Sequence, residues 1–195
     1  MNKRETVGLV LVMAALVAAC GGGSQPTAPT EKVTASDGQT QLETGGVYGE
    51  AMIEPLAEQS IKGMAIFAPT DDGKVRLTLD VSGAPAGPLA AHIHEHGDCS
   101  APDGSSAGPH WNPTSDDHGK WEHSPFHLGD LGNLTIDAQG RGQVEIVTDR
   151  WTIGTGAAND VVGKSIIVHE KADDFTTQPT GAAGGRIACG VIARK

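Results

Sequence analysis

Val75-Arg76-Leu77-Thr78-Leu79-Asp80-Val81 sets apolar and polar side chains in strict alternation. A period of two puts one set on each face of an extended strand. Gln143-Val144-Glu145-Ile146-Val147-Thr148 does nearly the same. No window carries an apolar period near 3.6 with capping residues at its ends, so the folded part is predicted to be all-β. Turn clusters at Asp71-Asp72-Gly73 and Ala138-Gln139-Gly140-Arg141-Gly142 separate such runs. Further strands are expected near 47–57, 60–68, 89–95, 131–137, 164–169 and 186–193. About eight strands in about 150 residues suit a sandwich or barrel with Greek-key connections. Two long connections interrupt them, roughly 97–129 and 171–185, and long loops on a rigid β scaffold are where function usually sits.

The start of the chain reads differently. Lys3 and Arg4 precede an apolar run from Val7 to Ala19, and Val17-Ala18-Ala19-Cys20 closes it. Small residues before a cysteine mark a bacterial lipoprotein signal, cleaved so that Cys20 carries the lipid. The run is short for a transmembrane span, which needs about 20 apolar residues. Residues 1–19 are therefore expected to be a signal peptide, 20–46 a lipidated cysteine with a polar, flexible tether, and 47–195 a single folded domain. Without Lys3, Arg4 and Glu5 the chain keeps 12 basic and 23 acidic residues, a net charge near −11. That excludes nucleic acid as a natural partner, because phosphate binding wants a basic footprint. It also means that an anionic substrate must be drawn in by local positive charge. With Cys20 lipidated, Cys99 and Cys189 remain, and an oxidising envelope compartment lets them form one disulfide, with two buried thiols as the alternative. The bond would close a loop of about ninety residues, worth at most about 4–5 kcal/mol in the chain-entropy model.

All eight histidines lie between His92 and His169. His92 and His94 are two apart on a predicted strand, so both point to one face while Ile93 points to the other. Alone that pattern is weak. His110, His118, His127 and Asp130 in one connection strengthen it, since an irregular loop has little reason to bury three imidazoles and a carboxylate without an ion. Imidazole suits zinc and copper, and a neighbouring carboxylate suits zinc. With His169 there are seven candidate ligands. Two four-coordinate sites need eight positions, which seven residues supply if one imidazole bridges through both ring nitrogens; spacing does not show which.

Longer strings surround these ligands: His92-Ile93-His94-Glu95, Ser106-Ala107-Gly108-Pro109-His110-Trp111-Asn112-Pro113, His118-Gly119, His127-Leu128-Gly129-Asp130-Leu131-Gly132-Asn133, Val168-His169-Glu170-Lys171-Ala172-Asp173-Asp174 and Gly185-Arg186-Ile187-Ala188-Cys189-Gly190. In order and spacing, over about residues 47–193, they resemble the copper/zinc superoxide dismutase family, and the lipoprotein start resembles its bacterial exported branch. The resemblance implies an eight-stranded flattened Greek-key β-barrel, an immunoglobulin-like sandwich, with two long functional loops. It implies copper on His92, His94, His110 and His169, and zinc on His110, His118, His127 and Asp130, with His110 shared. Asp173 would hydrogen-bond His92 and His118 from behind the metals, Arg186 would hold the superoxide anion, and Cys99 and Cys189 would form the intrasubunit disulfide. The implied activity is dismutation of superoxide to oxygen and hydrogen peroxide, with His110 exchanging a proton.

Some residues depart from the family pattern. Pro88-Leu89-Ala90-Ala91 stands where many relatives have a Gly-Phe pair. Pro179 lies where eukaryotic relatives carry a second lysine, leaving Lys171 and Arg186 to steer the anion. His96 is expected to be solvated or packed, His123 to lie on the surface, and the sequon Asn133-Leu134-Thr135 to be a chance match. A non-catalytic copper/zinc-binding envelope module and a barrel that has lost a metal are the competing readings; all seven ligands and Arg186 favour the enzyme. The expected location is the bacterial cell envelope, lipid-anchored at the periplasmic face or outer membrane. Gly21 after Cys20 leans to the outer membrane. Monomer and homodimer both fit.

Overall fold

The computed structural model describes residues 46–195. The expected signal peptide, Cys20 and the tether up to residue 45 lie outside them. Nine strands follow in order: β1 Gly49–Pro55, β2 Lys62–Pro69, β3 Val75–Ser82, β4 Gly87–His94, β5 Asp130–Ile136, β6 Gly142–Thr148, β7 Ser165–His169, β8 Arg186–Val191 and β9 Ala193–Arg194. Among the described residues there is no α-helix, only a 3-10 turn at Ser105–Ala107.

The strands pair antiparallel in the order β5-β4-β7-β8-β1-β2-β3-β6, and β9 adds to β1. The two outermost strands, β5 and β6, are consecutive in the chain and joined by the turn at 137–141, where Asp137 N–H donates to Arg141 O at 2.8 Å. That turn brings the edges of the path together into a nearly closed barrel. The pairings β4·β7, β1·β8 and β3·β6 join strands far apart in sequence, as Greek-key connections require. The predicted barrel is the observed one; the two-residue β9 had no distinct sequence signal.

Alternation decides what is inside. Val75, Leu77, Leu79 and Val81 of β3 are buried, with Ala65 and Phe67 of β2 and Ala51 and Ile53 of β1 beside them. Side chains of this size contribute roughly 1.5–3 kcal/mol each when fully buried, so the repeat itself closes the core. β4 and β7 differ. Leu89, Ala91 and Ile93 enter the core, and so do Ile166 and Val168, yet the alternate residues His92, His94, Ser165, Ile167 and His169 are buried as well. On this side the long connections roof the sheet. Ile167 packs outside the main core with Leu56, Ala107 and Cys189.

The connections are fixed by specific anchors. Trp121 packs on Trp151 with ring centroids 5.0 Å apart and on Phe126 at 5.2 Å, and Trp151 Nε1 donates to Leu128 O at 3.1 Å. Cys99 and Cys189 are disulfide-bonded, tying the connection after β4 to β8 across 90 positions. Between β6 and β7, the Asp160 carboxylate accepts from the N–H groups of Gly154, Gly156 and Val162 at 2.7–2.9 Å.

Candidate metal centre

Two shifts of register build the centre. Along β4·β5 the pairing runs Ala91 with Gly132 and then His92 with Asp130, so Leu131 is passed over. Along β7·β8 it runs Val168 with Ala188 and then His169 with Arg186, passing over Ile187. Such a bulge re-aims a side chain, and each one here sets a site residue opposite a histidine. The segment around His110 lies along β4: Trp111 N–H donates to Ile93 O at 2.8 Å, Glu95 N–H to Pro109 O at 3.0 Å, and His94 bridges with His110.

The structure gathers the seven predicted ligands into two buried groups, His92, His94, His110 and His169, and His110, His118, His127 and Asp130. In each, the candidate ligand atoms lie within 4.8 Å of one another. His110 belongs to both.

Hydrogen bonds behind the rings fix the tautomers of the first group. A carbonyl only accepts, so Nδ1 of His94 carries its proton toward Gly108 O at 2.9 Å, and Nδ1 of His169 toward Gly184 O at 3.3 Å. Their Nε2 atoms then face each other as two lone pairs 3.4 Å apart. His92 donates from Nε2 to Asp173 Oδ2 at 2.9 Å, which leaves its buried Nδ1 without a partner. The buried Nε2 of His110 is likewise unpartnered. Buried acceptors left unmatched are costly, and a cation among these four nitrogens would match them all.

The second group has the spacing of a tetrahedral ion site. Asp130 Oδ1 lies 3.0 Å from His110 Nδ1, 3.0 Å from His118 Nδ1 and 3.2 Å from His127 Nδ1, and the Nδ1 atoms of His110 and His127 are 3.4 Å apart. Ligands about 2.0–2.1 Å from a tetrahedral zinc stand about 3.3 Å from one another. His118 Nδ1 has no hydrogen bond despite that proximity. The donor set therefore fits an ion in each group.

The two groups differ electrically. Burial, reinforced by neighbouring imidazoles, pushes His169 down to about 2, and burial takes His110 to about 4 against the pull of Asp130. Burial also holds His94 well below its ordinary value and lowers His92. The first group is thus four neutral imidazoles. In the second, burial would lower His118, but Asp130 and Asp173 outweigh it and raise it to about 9. Burial would raise both carboxyls, yet hydrogen bonds from the histidines hold Asp130 and Asp173 below the usual carboxylate range. Neutral imidazoles suit copper, and three imidazoles with one carboxylate suit zinc.

Asp173 lies where expected, with Oδ2 on His92 Nε2 and Oδ1 on His118 Nε2, both at 2.9 Å. Its backbone is held from both sides by Asn133: Asp173 N–H donates to Asn133 Oδ1 at 2.7 Å, and Asn133 Nδ2 donates to Asp173 O at 2.9 Å. The sequon asparagine is therefore a buttress of the centre, which the sequence reading missed although Leu131-Gly132-Asn133 was among its motifs. Gly181, at φ +63°, closes over this junction, where a Cβ would collide with the Asp173 carboxylate. Arg186 is pinned by its two terminal nitrogens, Nη1 donating to Gly104 O at 2.6 Å and Nη2 to Gly108 O at 2.7 Å. The Gly108 carbonyl it shares with His94 puts the guanidinium beside the first group.

Residues 61–192 match the family described as copper/zinc superoxide dismutase. The chain belongs to that family. Superoxide is the substrate that the family implies. Among solved structures, the crystal structure of the clock protein EA4 is 36% identical, with a TM-score of 0.66, and the match covers 75% of this chain and 93% of that one. A double mutant of a SOD-like protein from Bacillus subtilis is 31% identical, with a TM-score of 0.67, over 75% of this chain and 98% of that one.

Lys171 and the two histidines outside the superoxide dismutase pattern lie apart from both groups. Lys171 is 67% exposed, and its Nζ lies 3.9 Å from Glu170 Oε1, which partly cancels its field. His96 is exposed, packs beside Gly108 and stands outside both groups. His123 is exposed, with Nδ1 near Trp121 O.

Proposed function

We propose that this protein dismutes superoxide, converting two anions and two protons to oxygen and hydrogen peroxide. Copper would be held by His92, His94, His110 and His169, and zinc by His110, His118, His127 and Asp130. The observation that carries this reading is His110, whose Nδ1 faces one group while its buried Nε2 faces the other without a partner. When bound, copper supplies one-electron redox chemistry and zinc, which has none, a fixed positive charge. Arg186 holds the anion with the N–H groups that Gly104 and Gly108 leave free, since a guanidinium has five. His110 holds a proton at Nε2 when that atom is disengaged and delivers it to the oxygen being reduced, while Nδ1 stays fixed. Asp173 keeps the His92 and His118 rings in one tautomer, the usual work of a carboxylate behind a ligand.

The test is metal analysis of the purified protein with direct measurement of superoxide decay. Near one copper and one zinc per chain with fast decay is expected. Both metals without decay would make the protein a non-catalytic metal-binding module.

We further propose an envelope lipoprotein, with residues 1–19 removed, Cys20 lipidated, 20–46 a tether and 47–195 the domain, at the periplasmic face or outer membrane. Cys20→Ser is expected to abolish incorporation of labelled fatty acid in cells while the domain stays active, because lipid is an address and not part of the centre. Equal label in wild type and variant would exclude it.

A further inference from the structure

Gln178 is an exposed residue of the connection between β7 and β8. Its carboxamide pairs with both backbone groups of His118: His118 N–H donates to Gln178 Oε1 at 2.9 Å, and Gln178 Nε2 donates to His118 O at 2.8 Å. Among the described residues no other hydrogen bond holds the His118 backbone. The neighbouring Gly119 N–H is bound to Asp130 Oδ2 at 3.1 Å, so the strand of chain through His118 is fixed on one side by Asp130 and on the other by Gln178. The ring is fixed separately, through Nε2 on Asp173.

This mirrors the grip of Asn133 on Asp173. Each end of the His118–Asp173 contact is held by one side-chain amide that reads an N–H and a C=O of a single residue. Asn133 belongs to β5, which the sheet immobilises. Gln178 belongs to a loop, and it is the link by which that loop holds the His118 backbone, as Asp173 of the same loop holds its ring. At neutral pH, where carboxyls are ionised, a carboxamide is the side chain that presents a donor and an acceptor side by side in one plane. Leucine would keep the volume and lose both bonds. Glutamate would keep the acceptor and turn its second oxygen against the His118 carbonyl.

We propose that Gln178 is a positioning residue for the second group: by clamping the His118 backbone it aims Nδ1 and thereby sets the group's affinity for zinc, without touching a ligand atom. This rests on the reading of that group as a zinc site. An exposed glutamine is ordinarily silent when replaced, whereas partners behind metal ligands are typically worth 10–100-fold in affinity.

The test is zinc competition against a chromophoric chelator, using the whole metal-stripped protein as wild type, Gln178→Leu, Gln178→Glu and Thr180→Ala. Zinc affinity is expected to fall about tenfold or more in Gln178→Leu, less in Gln178→Glu, and not at all in Thr180→Ala. The absorption bands of cobalt(II) bound in zinc's place should shift in Gln178→Leu, while the unfolding midpoint of its metal-free form matches wild type. Wild-type affinity and an unshifted cobalt spectrum in Gln178→Leu would overturn the proposal. So would an equal loss in Thr180→Ala, which would mean a general loosening of the loop. A wild-type protein that takes up no zinc would instead overturn the reading of the second group itself.

Discussion

Replacing His110 with alanine is expected to cost at least about a hundredfold in the rate of superoxide decay, beyond the 10–100-fold typical of lost outer partners. No other residue belongs to both groups, so a single truncation removes a nitrogen from each and the proton carrier with them. Metal analysis should show reduced content of both metals. The barrel should persist. The segment carrying residue 110 is tied to β4 by backbone bonds from Trp111 and Glu95, which alanine leaves intact, and the disulfide from Cys99 to Cys189 is untouched. Far-UV circular dichroism separates this loss of function from loss of fold. A variant with full rate and both metals bound would show that His110 does not bridge.

Arg186→Ala is expected to lower the second-order rate by at least about tenfold, roughly 1.4 kcal/mol of transition-state stabilisation. With a net charge of −10 over the whole sequence, the protein repels an anion from a distance, and capture depends on positive potential at the mouth. Lys171 contributes little because Glu170 lies beside it. Burial lowers the affinity of the Arg186 guanidinium for its proton, but arginine stays charged in proteins. Metal content should be unchanged, since His94 keeps its own bond to Gly108 O. Arg186→Lys should recover part of the rate, having the charge without the two-point anchoring. Wild-type activity should fall with added salt, because a Debye length of about 10 Å at 0.1 M screens the approach, and the alanine variant should show a weaker salt dependence. Equal rates for wild type and Arg186→Ala at low salt would mean that other groups guide the anion.

Much of this was legible in the residues. The alternation in β3 and β6 and the pairs of turn residues between strands gave the all-β class. His92 and His94, two apart, read correctly as neighbours on the face opposite Ile93. Counting seven ligands for eight positions required a bridge, although only the family pattern singled out His110. What stayed hidden depends on backbone groups that no side-chain pattern reports. Gln178 sits in a polar stretch, Thr176-Thr177-Gln178-Pro179-Thr180, that resembles any surface loop, and its partner is a main-chain pair 60 positions away. Arg186 is aimed by the carbonyls of Gly104 and Gly108, about which residue type says nothing. Asn133 was visible in the strings and its sequon rightly set aside as chance, but its grip on the Asp173 backbone was not legible, because residue type does not report a main-chain partner 40 positions away.

The passed-over residues Leu131 and Ile187 carry a consequence for inheritance. Loss of one codon at either position would restore an even ladder with Asp130 still opposite His92 and Arg186 still opposite His169, so each would keep its face and lose only the local bend. Loss of a codon elsewhere in β5 or β8 has no spare residue to absorb it and would shift one flank of the ladder by one position, turning that flank to the opposite face. Turns such as 70–74 and 137–141 face no such constraint. A change of length in β5 or β8 away from Leu131 and Ile187 would therefore be a more decisive sign of lost chemistry than many substitutions.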